Sequence, residues 1–332
     1  MRSLDAIIFA AVNGWAYLFR RRLIRSFFAM LDYWPEVAQP KTFAEKILWR
    51  KLFERNPVFA ILSDKLAARP WMAARAPELR VARTLWAGDR AADIPNAVLA
   101  GGVMLKTNHG SASNIILKQA PADRREIETR MESWRALRLE TLHGEWGYGL
   151  VPGKIFAEEL LPNDDAEPLL DFNFFCCEGE VLFYVLTLGE KTPEEAVAFY
   201  RADGSRDFEA DDLPDYPKRF LPRDYCLPAK AKEALNAAAR ISRGLDFLRI
   251  DIMLAGGQLY AAETTLYPCA GYGIYTRLAL VQGAMEAWDL RKSWFLTTPQ
   301  SGLKALYAGA LKRSLARDRA PAGTTSIQAR WA

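Results

Sequence analysis

Asp251 and Glu263 stand twelve residues apart, in Phe247-Leu-Arg-Ile-Asp-Ile-Met-Leu and Leu259-Tyr-Ala-Ala-Glu-Thr-Thr, with Gly256-Gly257 between them. Two short apolar strands joined by that glycine turn would set the carboxylates on neighbouring strands, close enough to share one hard cation. Mg²⁺ takes few protein carboxylates and leaves its other positions to water and phosphate oxygens. Arg249 precedes Asp251 by two residues, so the period-two alternation of a strand puts it on the same face. One guanidinium and two carboxylates on one sheet surface suit a nucleoside triphosphate and its metal. The same residues also describe a surface hairpin with a salt bridge.

Three further segments carry groups of matching chemistry. In Leu105-Lys106-Thr-Asn-His-Gly110-Ser111-Ala-Ser113 a lysine ends a strand and a small-residue loop follows. Such a loop can place an ammonium and several backbone N–H groups on phosphates. It is not a Walker sequence and no helix follows directly, which excludes a P-loop. Phe156-Ala-Glu158-Glu159 ends a strand in two acids, able to hold an adenine amino group or a ribose. Ser63-Asp64-Lys65 offers a second lysine early in a helix. No Ser/His/Asp or Cys/His arrangement lies near these motifs, so no protein nucleophile is expected. His109 reads as a loop-positioning residue or as a base for an incoming amine.

Composition narrows the classes. At 332 residues, two domains or one domain of several lobes are expected. Lys or Arg occupies positions 2, 20, 21, 22, 25, 41, 46, 50, 51 and 55, against acids at 5, 32, 36, 45 and 54. Residues 1–55 therefore balance to +5, and the remainder of the +4 total is −1. Positive charge gathered at one end argues against a nucleic-acid-binding body. Four cysteines without a CxxC pair and two histidines make a zinc site or disulfide framework improbable, in keeping with a cytoplasmic chain. Ile7–Phe19 is apolar but too short to span a bilayer, and no signal-peptide cleavage site follows it. Arg20-Arg21-Arg22, Arg25 and Phe27-Phe28 form a basic, aromatic-bearing helix. It either docks on the body or lies at the surface of an anionic membrane, at the inner face.

The elements that must position these groups follow from pattern. Thr42 and Glu45 have capping-box spacing and open a helix to about Glu54. A second helix is expected over Val58–Arg75, broken at Pro70, and others over Ala122–His143 and Ala229–Gly244. Strands are expected over Leu79–Leu85, Val98–Thr107, Ile115–Leu117 and Lys154–Glu158, with a hairpin over Leu170–Cys177 and Val181–Leu188. Residues 189–228 read as an excursion with little regular structure, and the tail from Ala320 as disordered.

Pro40-Lys-Thr-Phe-Ala-Glu-Lys-Ile-Leu-Trp-Arg-Lys-Leu, Asn56-Pro57, Asp64-Lys65-Leu-Ala-Ala-Arg69 and Leu105-Lys-Thr-Asn-His-Gly-Ser together resemble the TupA-like branch of the ATP-grasp superfamily. Glu158-Glu159, Asp171-Phe-Asn-Phe, Arg249-Ile-Asp251 and Glu263-Thr-Thr continue the likeness, over about residues 40–275. The resemblance implies an α+β ATP-grasp fold, two α+β lobes clasping ATP, preceded by an N-terminal helical segment. It would divide the chain at 1–39, 40–156, 157–300 and 301–332. It implies that Lys65 and Lys106 contact ATP phosphates, that Gly110, Ser111 and Ser113 form the loop over the nucleotide, and that Glu158 or Glu159 holds adenine and ribose. Asp251 and Glu263 would bind Mg²⁺, and Arg249 would stabilise the transferring phosphoryl group. The implied activity is a carboxylate–amine ligase working through an acyl phosphate, joining an amino acid to an acidic sugar in cell-surface polysaccharide biosynthesis. A glycosyltransferase of the same pathway and a non-catalytic scaffold are the alternatives. Asn173 stands where the family has lysine, and Ala112 where glycine is common; Lys191 could supply the missing cation.

Overall fold

The computed structural model describes residues 3–110, 113–120, 123–163, 168–190, 192–212 and 216–317. Ala112, Ala122, Lys191 and the tail from Ala320 lie outside them, as does Ser111. The chain forms two compact units, residues 1–55 with 289–332, and residues 56–288.

The first unit is helical. Helices α1 (Ser3–Phe19), α2 (Arg21–Leu31) and α3 (Phe43–Phe53) are joined by a helix over Gly302–Arg317. The capping box forms as its spacing predicts: Glu45 N donates to Thr42 Oγ1 at 3.2 Å, and Thr42 N to Glu45 Oε2 at 3.0 Å. Aromatic rings fill the core. Trp49 Nε1 donates to Tyr307 Oη at 2.8 Å, and Tyr307 Oη donates to the Ala38 carbonyl at 2.9 Å, so both polar tips are satisfied in an apolar setting. On α2, Phe27 is fully buried, whereas Phe28 is half-buried and stacks at 4.4 Å on Trp34, which is exposed.

The second unit is built on two sheets. After the short α4 (Phe59–Leu62) comes α5 (Lys65–Arg75). The strands are β1 (Thr84–Gly88), β2 (Val103–Thr107), β3 (Asn114–Leu117), β4 (Ile155–Glu159), β5 (Leu170–Cys177), β6 (Glu180–Leu188), β7 (Ala196–Arg201), β8 (Arg219–Phe220), β9 (Leu248–Ala255) and β10 (Gln258–Thr265). One sheet has the order β1-β4-β2-β3, the other β10-β9-β5-β6-β7-β8. Leu105, Ile155 and Ala157 of the smaller sheet pack with Ile127 and Met131 of a helix over Arg124–Arg135. The alanine-rich helix Ala231–Ile241 packs on β5, β6 and β9.

Several boundaries move from those expected, each for a local reason. The helix over 58–75 breaks at Ser63-Asp64 and runs through Pro70, because Asp64 caps a new helix by accepting the Leu66 N–H at 2.9 Å. The strand expected from Val98 starts at Val103, after Gly101 and Gly102 take positive φ angles. The strand expected from Leu79 starts at Thr84, and Arg80 instead bridges to Tyr260 of β10. The helix expected over 122–143 is two, Arg124–Arg135 and Leu139–His143. Residues 189–228 are more regular than composition suggests, since Ala196–Arg201 adds β7 to the larger sheet.

Gly101 sits at φ +120°, and a Cβ there would meet the Gln119 backbone at 2.6 Å. We expect Gly101→Ala to cost about 1–3 kcal/mol, from backbone strain alone, in urea unfolding.

Candidate functional site

Strand register brings the two carboxylates face to face. Glu263 of β10 pairs directly with Asp251 of β9, which pairs on its other side with Asn173 of β5. The hairpin turn at Gly256-Gly257 would by itself set Ala262 opposite Asp251. A bulge between Ala261 and Glu263 inserts one residue and moves Glu263 into that place. Alternation then gathers Asp171, Asn173, Arg249, Asp251, Glu263 and Thr265 on one face, and turns Phe172, Phe174, Ile250 and Ile252, all fully buried, to the other.

Helix α5 presents cations to this face. Lys65 Nζ lies 3.1 Å from Glu263 Oε1 and also donates to the Gly110 carbonyl. One turn on, Arg69 Nε donates to the Ala262 carbonyl, exposed by the bulge, at 3.2 Å. Arg69 also pairs with Glu158 of β4, which pairs in turn with Lys106 of β2. The start of α5 is fixed to the loop after β2. The Lys65 N–H donates to the Asn108 carbonyl at 2.8 Å, and Asn108 Nδ2 donates to Asp64 Oδ1 at 3.1 Å.

The loop itself needs glycine at 110. A Cβ there would lie 2.3 Å from Thr107 Oγ1 and 2.6 Å from Ser113 Oγ. Ser113 is buried beside it, and Thr107 Oγ1 is buried with no hydrogen-bond partner among the described residues. His109 is buried too, with Nδ1 3.3 Å from Asn108 Oδ1. Burial lowers its pKa below the ordinary histidine value, so the ring is neutral at pH 7.

The electrostatics set the carboxylates apart. Arg249 grips Asp251 with Nε at 2.7 Å and Nη2 at 2.6 Å. Burial still pushes the Asp251 carboxyl up to about 6, against the pull of Arg249. For Glu263, burial is outweighed by Lys65 and then Arg249, which hold it below the ordinary value. Glu158 is likewise held low, its burial outweighed by Lys106 and Arg69. Lys106 is pulled down by burial, with Glu158 opposing.

Of the residues expected to act together, Lys65, Lys106, Gly110, Glu158, Arg249, Asp251 and Glu263 are linked in this network. Glu159 is not: it points to the opposite side of β4, where its carboxylate lies 3.5 Å from exposed Arg83. Two members were given no role from sequence. Arg69 lies one helical turn from Lys65, a spacing that marks a shared face. Asp171 is an acid in an otherwise apolar strand, two residues before Asn173. Its Oδ2 accepts from Asn173 Nδ2 at 3.0 Å, while Oδ1 is buried without a partner among the described residues. Burial and then the charge of Asp251 push its carboxyl well above the usual range.

Asp251 and Glu263 suit Mg²⁺, which needs only one or two protein carboxylates when phosphates complete its shell. Thr265 Oγ1, buried beside them with no hydrogen-bond partner among the described residues, is a further oxygen. Among the described residues no group of three or more His, Cys, Asp or Glu could hold a metal without such help.

Removing Glu158 strands two buried cations. We expect Glu158→Ala to lose roughly 3–5 kcal/mol in urea unfolding, and Glu158→Gln less. Asp171 and Asp251 bind protons more tightly folded than unfolded, so the native state gains stability as pH falls through about 6. Glu158 and Glu263, held low, reverse this only below the ordinary glutamate range. Urea midpoints at pH 7 and pH 5 should show the gain in wild type and a smaller one in Asp171→Asn.

The family model described as TupA-like ATPgrasp matches residues 45–278. No curated protein matches the sequence. Similar solved structures include N5-carboxyaminoimidazole synthetase from Staphylococcus aureus complexed with ADP, at 15% identity and TM-score 0.35, covering 62% of this chain and 44% of that one. D-alanine-D-alanine ligase from Helicobacter pylori is 9% identical, with TM-score 0.41 and coverage of 75% and 66%. ATP-grasp ligase PsnB, complexed with a precursor variant, Mg and ADP, is 14% identical, with TM-score 0.36 and coverage of 74% and 66%. The chain thus spans under half the length of the first of these. With well over half of its residues inside the family model, this chain belongs to the TupA-like ATP-grasp family, and its α+β architecture is an ATP-grasp fold.

Proposed function

We propose that this protein is an ATP-dependent carboxylate–amine ligase. The observation that carries this reading is the direct pairing of Asp251 with Glu263, faced by Lys65, Lys106 and Arg249. The carboxylate oxygen of one substrate attacks the γ-phosphorus of ATP, and ADP leaves. The amine of the second substrate then attacks the acyl carbon, phosphate leaves, and the nitrogen gives up a proton. Bound Mg²⁺, held by Asp251 and Glu263, supplies charge neutralisation at the phosphate oxygens. Lys65 and Lys106 orient the phosphates, under the loop of Gly110, Ser111 and Ser113. Arg249 offsets the charge that develops as phosphoryl transfers. Of the two acids at the end of β4, Glu158 lies on the side of the site and would hold adenine and ribose, while Glu159 is turned to Arg83. Asp171, whose Oδ1 has no partner among the described residues, suits a hydroxyl of the nucleotide, which can both donate and accept.

Family membership supports the finer substrate assignment: an amino acid as amine and an acidic sugar as carboxylate, in cell-surface polysaccharide biosynthesis. Such acceptors place the protein at the inner face of a membrane, and among the described residues no helix is long and apolar enough to cross one. The acids at 203–212, which a glycosyltransferase would need for a nucleotide sugar, are engaged locally: Asp211 lies 2.8 Å from Arg206, and Asp207 3.7 Å from Arg201. Asn173, which brings no cation to the site, favours a scaffold that binds nucleotide without turnover.

ADP release from ATP with paired amines and uronic acids separates these readings. We expect Lys106→Ala, Asp251→Asn and Glu263→Gln each to lower turnover by on the order of 10²–10³ while remaining folded. Wild-type rates in any two of them would refute the ligase. Thermal stabilisation by ATP and Mg²⁺ without ADP release from any pair would favour the scaffold.

A further inference from the structure

Helix α1 has its polarity reversed for a surface helix. Its polar side chains Asp5, Asn13 and Tyr17 turn inward. Asp5 is 1% exposed and is held by Arg313 at 2.6 Å and Arg317 at 3.5 Å. Asn13 donates to Glu36 at 2.7 Å and accepts from the Val37 and Ala38 N–H groups, while Tyr17 donates to the Pro35 carbonyl. What faces outward is Leu4, Ile7, Ala11 and Leu18, one stripe at helical spacing, with Leu4, Ile7 and Leu18 between 57% and 64% exposed. Phe19 follows at 71%. With Asp5, Asn13 and Tyr17 bonded inward, the stripe of Leu4, Ile7, Ala11 and Leu18 offers water no hydrogen-bonding side chain.

Charge then selects what covers this stripe. Arg20, Arg21, Arg22 and Arg25 stand exposed at the corner where α1 meets α2, and no acid occurs between residues 6 and 31. The nearest acid on α1, Asp5, is already neutralised by Arg313. A second copy of this chain would have to bury those guanidinium groups against its own. An anionic lipid surface offers headgroup charge for the arginines and an acyl boundary for the stripe. Lying flat, 17 residues reach about 25 Å along that surface.

We propose that the outer face of α1, with the four arginines at its end, is the docking surface of this protein on an anionic membrane. This face stands whether or not the chain is a ligase, because vesicle binding and ADP release are separate readouts. The test is co-sedimentation of the full chain with vesicles of three parts phosphatidylcholine to one part phosphatidylglycerol, and with phosphatidylcholine alone. Wild type should bind the anionic vesicles and not the neutral ones. The double variant Ile7→Asp/Leu18→Asp should bind at least about tenfold more weakly, with an unchanged unfolding midpoint. Arg21→Gln/Arg22→Gln, which leaves the stripe intact, should lose roughly fivefold per arginine, and high salt should mimic it. Equal binding to both vesicles, or wild-type binding by both variants, would overturn the proposal. So would a wild-type dimer, split by Ile7→Asp/Leu18→Asp, that ignores vesicles.

Discussion

A buried charge must be paired, and in the larger unit that requirement joins the two sheets. Arg69 reaches Glu158 on the smaller sheet and the Ala262 carbonyl on the larger one. Lys65, one turn earlier, reaches Glu263 on the larger sheet and the Gly110 carbonyl in the loop of the smaller. Neither sheet alone could satisfy these cations away from water. Each sheet therefore brings the acceptors that the same helix needs, and α5 sets their spacing. Breaking one pair leaves an uncompensated ion, a larger penalty than the pair's own net worth.

The same pairing prepares the site. Lys65, Arg69, Lys106 and Arg249 face Glu158, Asp171, Asp251 and Glu263, so cations and carboxylates are equal in number when all are ionised. Two of the acids, Asp171 and Asp251, hold their protons more tightly than usual because burial disfavours their charge. Burial likewise lowers the pKa of Lys106, with Glu158 opposing, so the same desolvation acts on both signs of charge at this face. Cations already fixed by partners need little reorganisation when charge develops nearby.

The helical unit solves a different problem with the same chemistry. Asp5 lies inside it, and Arg313 and Arg317 at the far end of the chain keep it ionised there. With its one acid spent inward, α1 presents the apolar residues Leu4, Ile7, Ala11 and Leu18 outward, and the arginines that open α2 follow at its end. The aromatic residues of α2, prominent in the sequence, serve packing.

The sequence by itself determined the local elements. The capping box of α3, the two-residue turns at Glu178-Gly179 and Gly256-Gly257, and the apolar alternation of β5 and β9 depend on interactions a few residues apart. It also determined which residue types could meet, because a lysine before a glycine loop and an Arg-x-Asp strand carry their chemistry with them. Tertiary structure decided the rest. The bulge that sets Glu263 rather than Ala262 opposite Asp251 has no composition of its own; it is held by Arg69 from another element. The break at Ser63-Asp64 is capped locally by Asp64, but its docking on Asn108, more than forty residues away, is a tertiary contact. The separation of Glu158 from Glu159 follows from which face of β4 is covered. Whether an acid such as Asp171 is solvated or buried beside another acid depends on long-range pairing, and that pairing fixes its charge.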